Sequence, residues 1–169
     1  VGGARAPAGR FPYAVAIFVN TAFVCGGVLV APDAVLSAAH CVSPGEPAAS
    51  LRVAAGIQDL RDISASTLIP VSSYEVHPSF NNRTLDHDAV VLRLARDTPP
   101  TARPVRLPAP GAPVAPGEEL HVVGYGTVEY IASQSLVGGI SQALKEARLW
   151  YVPNSECSSV AAGDSYGAG

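Results

Sequence analysis

Cys25-Gly26-Gly27-Val28-Leu29-Val30-Ala31-Pro32-Asp33-Ala34-Val35-Leu36-Ser37-Ala38-Ala39-His40-Cys41 is the stretch on which the reading of the fold turns. It closes one short apolar run, Phe23–Val30, and opens a second, Ala34–Leu36, with Pro32 and Asp33 between them. Two β-prone runs separated by turn residues read as neighbouring strands. The second run passes into small residues, Ser37, Ala38 and Ala39, that let another strand approach closely. Ser37–Val42 has room for one helical turn, and it carries a histidine set between an alanine and a cysteine.

The same pattern repeats on both sides of this stretch. Strands are expected at Tyr13–Val19, Leu51–Gly56, Thr67–His77, Ala89–Leu94, Glu119–Gly124 and Ala143–Val152, most of them rich in Val, Leu, Ile and Tyr. Ala89-Val-Val-Leu-Arg-Leu-Ala95 is nearly all apolar, so it is expected as a central strand buried on both faces, with Arg93 reaching solvent or a partner. Helix signals are poor, and the 16 glycines and 15 prolines are spread along the chain, punctuating many short segments. The expected fold class is therefore all-β, a barrel or sandwich rather than βαβ units.

Pro99 to Pro116 is the sharpest change in composition. Each proline lacks a donor N–H and fixes φ, so this stretch cannot be a central strand or a helix. The expected organisation is a first β unit over 1–105, a Pro-rich linker over 106–118 and a second unit over 119–169. By size the second unit is too small for a whole β domain and is expected to be incomplete.

Composition excludes several functions. Apolar residues make up 48% of the chain and charged residues 15%, enough for a real core and unlike a disordered tail. The formal charge is -3 with no Lys/Arg run, so neither nucleic acid nor membrane is expected as a partner. His77, His87 and His121 have no spacing that resembles a zinc site, and no Gly-rich phosphate loop is present, so no metal and no cofactor is expected. His77 reads as a strand-end residue, His87 as a rim residue near Asp88, and His121 as a strand side chain. There are three cysteines, Cys25, Cys41 and Cys157. In an oxidising compartment an odd number leaves one thiol without a partner.

Two places carry chemistry. Histidine serves as a general base because it titrates near neutrality, so His40 is one candidate, though an isolated histidine reads as well as a packed core residue. Asp88 opens the apolar run that follows it, where a carboxylate is costly to desolvate unless it meets a donor. An imidazole N–H is such a donor. Asp86 lies two residues earlier, on the same face of a pleat, and competes for the role; both acids also read as polar turn residues.

Taken in order, these segments resemble the trypsin and chymotrypsin family of serine proteases. Val1-Gly2-Gly3 resembles the start of its activated chain, and Phe11-Pro12-Tyr13 the approach to its first strand. Cys25-Gly26-Gly27 and Ser37-Ala38-Ala39-His40-Cys41 resemble its histidine region. His77-Pro78-Ser79-Phe80-Asn81 and Asp86-His87-Asp88-Ala89-Val90-Val91-Leu92 resemble its aspartate region. Val123-Gly124-Tyr125-Gly126 and Pro153 to Cys157 resemble segments of its second barrel. The resemblance covers the whole chain. It implies two six-stranded antiparallel β-barrels, the first complete and the second truncated here, and a Cys25–Cys41 disulfide that pins the residue beside His40. It also implies a secreted endopeptidase in which His40 is the general base and Asp88 its orienting acid. Its partners would be protein or peptide substrates and protein inhibitors. The alternative is a secreted non-catalytic homologue acting as a binding or inhibitory module.

Departures from the family qualify this. The sequence opens at Val1, one residue after the usual first residue of the family's activated chain, and Leu120 stands where the family often has a cysteine. The family's nucleophile lies in a Gly-Asp-Ser-Gly-Gly motif well beyond the cysteine that Cys157 resembles, and this chain ends twelve residues after Cys157. Gly163-Asp164-Ser165-Tyr166-Gly167 keeps part of that motif, but Ser165 follows Cys157 by only eight residues, and it reads as a loop. The catalytic serine is therefore expected beyond the chain, and the 169 residues alone are expected to be inactive. Asn82-Arg83-Thr84 is an N-glycosylation sequon, making Asn82 a candidate glycan site.

Overall fold

The structure is a computed structural model that describes residues 3–64, 66–127, 139–153 and 155–157. Its strands are β1 (Ala4–Arg5), β2 (Ala14–Val19), β3 (Ala22–Ala31), β4 (Ala34–Ser37), β5 (Leu51–Ala55), β6 (Leu68–Val76), β7 (Val90–Leu94), β8 (Glu119–Gly124) and β9 (Lys145–Trp150). The fold is all-β, as expected. Strands β2-β3-β4-β7-β6-β5 close into a six-stranded barrel, and β1-β9-β8 form a second sheet. Every pairing is antiparallel. Among the described residues, no helix is long and apolar enough to cross a membrane. Gly163–Gly167 lies outside the described residues, as do Val1 and Gly2.

Local chemistry explains the barrel's tight corners. Val19 pairs with Ala22, leaving a two-residue hairpin loop in which Asn20 takes φ 55°, a left-handed value that asparagine tolerates. At Gly27 on β3 a Cβ would stand 2.9 Å from Val35 Cγ1 and 3.1 Å from the Leu36 carbonyl oxygen. The glycine is what lets β3 and β4 approach at this level.

The core has two parts. Val15, Ile17, Leu29, Val35, Leu51, Val53, Ile69, Val90 and Leu92 fill the barrel interior. Each fully buried side chain of this size contributes about 1.5–3 kcal/mol relative to exposure. A second cluster joins Phe11, Ala14, Ala16, Phe18, Ala54 and Ile57 to Tyr125 and Leu144, packing the outside of the barrel against the second sheet. Tyr125 is 1% exposed, donates its hydroxyl to the Ile57 carbonyl, and has its phenol pushed up to about 12, first by burial.

This arrangement corrects one expectation. Strand β2 is buried on both faces instead: its Val15 and Ile17 point into the barrel while Ala14, Ala16 and Phe18 face the second cluster. Strand β7 is central in its pairing, between β4 and β6, yet only Val90, Leu92 and Leu94 are buried. Val91 is half-buried and Arg93 is exposed, because among the described residues nothing comparable to the second sheet covers the outside of the barrel there. The expected turn at Ser37–Val42 is present as a short 3-10 turn, Ala39–Cys41.

Candidate active site

The register between β4 and β7 builds this site. Ser37 is the last residue of β4 and pairs with Val90, the first residue of β7. The chain leaving β4 towards His40 and the chain entering β7 from Asp88 therefore run side by side, although 48 residues separate the two side chains. Ala39 is fully buried in the barrel core and anchors the turn, which leaves His40 standing outward. The Ser37 hydroxyl donates to the Gly26 carbonyl at 2.8 Å, tying the end of β4 to β3. One residue beyond His40, Cys41 is bonded to Cys25, with Cα atoms 6.0 Å apart, within the usual range for a disulfide.

Asp88 grips the histidine at two points. Its Oδ2 lies 2.6 Å from His40 Nδ1, and its Oδ1 accepts the His40 backbone N–H at 2.9 Å. The hydrogen bond from the His40 side chain is the largest influence holding the Asp88 carboxyl below the usual carboxylate range. Partial burial pushes the other way, and the backbone N–H groups of His40 and Ala39 add to the lowering. The side chain of Asp88 is 19% exposed and that of His40 is 53% exposed. The carboxylate is thus sheltered behind the ring, and the ring faces open space. Among the described residues, Nε2 of His40 makes no hydrogen bond. An imidazole whose Nδ1 is fixed by a carboxylate and whose Nε2 is open can take and return a proton at Nε2.

Asp86 does not share this role, and the expectation that it lies on the same pleat face as Asp88 is corrected. Leu85 and His87 have φ of 58° and 55°, so the chain here is a turn and not a pleated strand. The Asp86 carboxylate instead accepts the Thr84 hydroxyl at 2.6 Å. Asn82 sits on the exposed rim of this turn, beside Asn81, whose Oδ1 accepts the Arg83 and Thr84 backbone N–H groups. His77 follows the end of β6. His121 lies on β8, with its ring nitrogens 3.4 Å from Glu119 and 3.5 Å from Glu146. His40 also lies close to Cys25 and Cys41, a donor set suited to metal, but both sulfurs are consumed in the disulfide and offer no thiolate. Cys157 is free and exposed.

A groove of about 670 Å³ runs along the histidine turn, with Val42, Ser43, Pro44, Tyr74, Phe80 and Asn82 in its lining. On the other side of the cystine a cleft of about 510 Å³ separates Phe23–Gly26 of β3 from β8 and β9.

One buried charge was not foreseen. Asp59 is 4% exposed and is held by Arg61, whose Nε and one terminal guanidinium nitrogen donate to the two carboxylate oxygens at 2.8 and 2.7 Å. That hydrogen bonding holds the Asp59 carboxyl well below the usual carboxylate range. The i, i+2 spacing of Asp59 and Arg61 was the available signal, together with the role of Asp59 as cap of the turn Leu60–Asp62.

Comparison with known proteins places this geometry. The family described as trypsin matches residues 1–168. The chain is 29% identical to brachyurin of Leptuca pugilator, covering 95% of this chain and 68% of brachyurin. It is 31% identical to trypsin iota of Drosophila melanogaster, covering 99% of this chain and 62% of that protein. The chain thus spans about two thirds of the length of these relatives. Among solved structures, human heparin binding protein superposes with a TM-score of 0.78 at 26% identity, over 93% of this chain and 68% of that one. On its sequence, its closed barrel and its second sheet, the chain belongs to the trypsin family.

Proposed function

We propose that the protein is a secreted serine endopeptidase in which His40 is the general base and Asp88 its orienting carboxylate, with the nucleophilic serine contributed by residues beyond Gly169. The observation that carries this reading is the two-point grip of Asp88 on His40, with Nε2 left open. His40 Nε2 removes the proton from the serine hydroxyl as its oxygen attacks the scissile carbonyl. The same proton then passes to the leaving amine as the peptide C–N bond breaks, giving an acyl-enzyme. Water repeats the sequence and releases the acid. Asp88 keeps Nδ1 protonated and stabilises the imidazolium formed between the two transfers. Protein or peptide chains are the substrates, and protein inhibitors compete for the same surface.

The organisation that goes with this reading is a first barrel unit over 1–105, a linker over 106–118 and the start of a second barrel unit over 119–169. The Cys25–Cys41 disulfide is consistent with an oxidising, extracellular destination. In a host that glycosylates secreted chains, Asn82 is the acceptor on the exposed turn before Asp88. On this reading the 169 residues alone are inactive, since a base and its orienting acid need the nucleophile and oxyanion donors that the reading assigns to residues beyond Gly169.

A second reading, a non-catalytic binding homologue, draws on the likeness to human heparin binding protein. Heparin is polyanionic and is recognised by clustered Lys and Arg. This chain has 11 Lys and Arg against 14 Asp and Glu, with no basic run, which disfavours that ligand. A fluorogenic peptide panel tests the enzyme reading on the protein extended past Gly169 to the length of its relatives. Hydrolysis that His40→Ala or Asp88→Asn lowers by several orders of magnitude supports it. A folded, extended protein that cleaves no peptide favours the binding module.

A further inference from the structure

Asp88 can orient His40 only if its own backbone is fixed, yet it sits outside any strand, two residues before β7 begins. The segment that fixes it is unusual. Ala89 N–H donates to the His87 carbonyl at 2.8 Å, an i to i−2 bond that makes Asp88 the centre of a three-residue turn. His87, which precedes it, is held at φ 55°, a left-handed value that costs free energy for a residue with a Cβ. Something must hold His87 there. Its ring lies flat on the ring of His77, with centroids 4.8 Å apart and planes within 8° of parallel.

His77 is itself locked. Its backbone N–H donates to the Ala89 carbonyl at 2.9 Å, closing the neck of the loop on the residue after Asp88. Its ring Nδ1 accepts the Ser79 N–H at 3.1 Å, which fixes the plane of the ring on which His87 rests. The same residue thus holds both flanks of Asp88, by hydrogen bond on one side and by ring contact on the other. Further out, Asn81 N–H bonds to the Asp86 carbonyl and the Thr84 hydroxyl to the Asp86 carboxylate, so the rest of the loop is stitched independently of the two rings.

We infer that the stacked His77–His87 pair is a positioning device that aims the Asp88 carboxylate at His40. This inference rests on the proposed function for its purpose, but its geometry can be tested without catalysis. A proton shared at 2.6 Å between His40 Nδ1 and Asp88 is strongly deshielded and gives a separate low-field signal in proton NMR spectra of the 169-residue chain. His77→Ala removes the ring platform but leaves the backbone of residue 87 free to keep its turn. His87→Asn removes the ring but supplies a residue that accepts left-handed φ.

The expected results are these. His77→Ala shifts or broadens the low-field signal and speeds its exchange with water, while the far-UV circular dichroism and the Cys25–Cys41 bond are unchanged. His77→Phe, which restores a flat ring, recovers part of the signal, and His87→Asn falls between the wild-type chain and His87→Ala. An unchanged low-field signal in folded His77→Ala and His87→Ala chains overturns the inference. In the extended protein, His77→Ala lowers kcat with little effect on KM. If instead His40→Ala leaves activity intact there, the catalytic reading fails while the NMR result on the stack still stands.

Discussion

Replacing Cys25 and Cys41 together by alanine isolates the contribution of the disulfide that ties the histidine turn to the neighbouring strand. The cysteines are 16 residues apart in sequence. Closing a loop of that length in the unfolded chain removes entropy corresponding to about 3 kcal/mol at 25 °C. A domain of this kind has about 5–15 kcal/mol in total, so the loss takes a large share of it. Urea denaturation of the oxidised chain, followed by far-UV circular dichroism, should show the midpoint falling by about 1–3 M for an m-value of about 1–3 kcal/mol/M. Cys157→Ala, at an exposed free thiol, should move stability by no more than about 0.5 kcal/mol. Thiol titration of the denatured, unreduced chain should count a single reactive sulfur. Three reactive thiols, or a loss below about 1 kcal/mol in the double variant, would refute the reasoning.

Three further outcomes follow from the packing and charges. Gly27→Val forces a side chain against Val35 and the Leu36 carbonyl, and should destabilise the barrel by about 1–3 kcal/mol or more in the same denaturation assay. Asp59 has its folded value lowered by Arg61, so its contribution to stability is full above the unfolded value near pH 4 and is lost as the pH falls through the lower folded value. Asp59→Asn should therefore be less stable than the wild-type chain at pH 7, with the gap closing on acidification below about pH 4. His40→Ala removes the largest influence lowering the Asp88 carboxyl, and a carbon-13 titration of Asp88 should show it ionising at a higher pH than in the wild-type chain. An unchanged Asp88 titration would mean that the His40 bond does not hold the carboxylate down.

Much of the barrel was legible because its signals are local. Alternating Val and Leu runs broken by Pro, Asn and Gly placed each of its strands to within a residue or so at either end, since period and turn chemistry act over a few residues. What the local pattern could not show was which faces are covered. The apolar run at Val90–Leu94 reads as doubly buried, yet β2 is covered on both sides instead, because the second sheet packs there against Ala14, Ala16 and Phe18. Strand β1 has only Ala4 and Arg5 and no periodic signal; β9 makes it a strand by pairing with it. In the site, His40 and Asp88 were singled out by segments resembling a family, and the Ser37–Val90 register explains physically why they meet. The support beneath Asp88 was not legible. A left-handed His87 and its stack on His77 arise from a turn whose shape depends on contacts ten residues apart in sequence.

Covalent labelling asks whether His40 and Asp88 serve a serine nucleophile. The protein extended past Gly169 to the length of its relatives should be treated with a fluorophosphonate probe, alongside the 169-residue chain, a Ser165→Ala variant and a His40→Ala variant. Labelling of the extended protein is expected at one serine beyond Gly169. That labelling should be unaffected by Ser165→Ala and lost with His40→Ala. The 169-residue chain should stay unlabelled. Labelling of the 169-residue chain that disappears with Ser165→Ala would overturn these roles for His40 and Asp88, as would a folded extended protein that takes no label or one that labels equally well without His40.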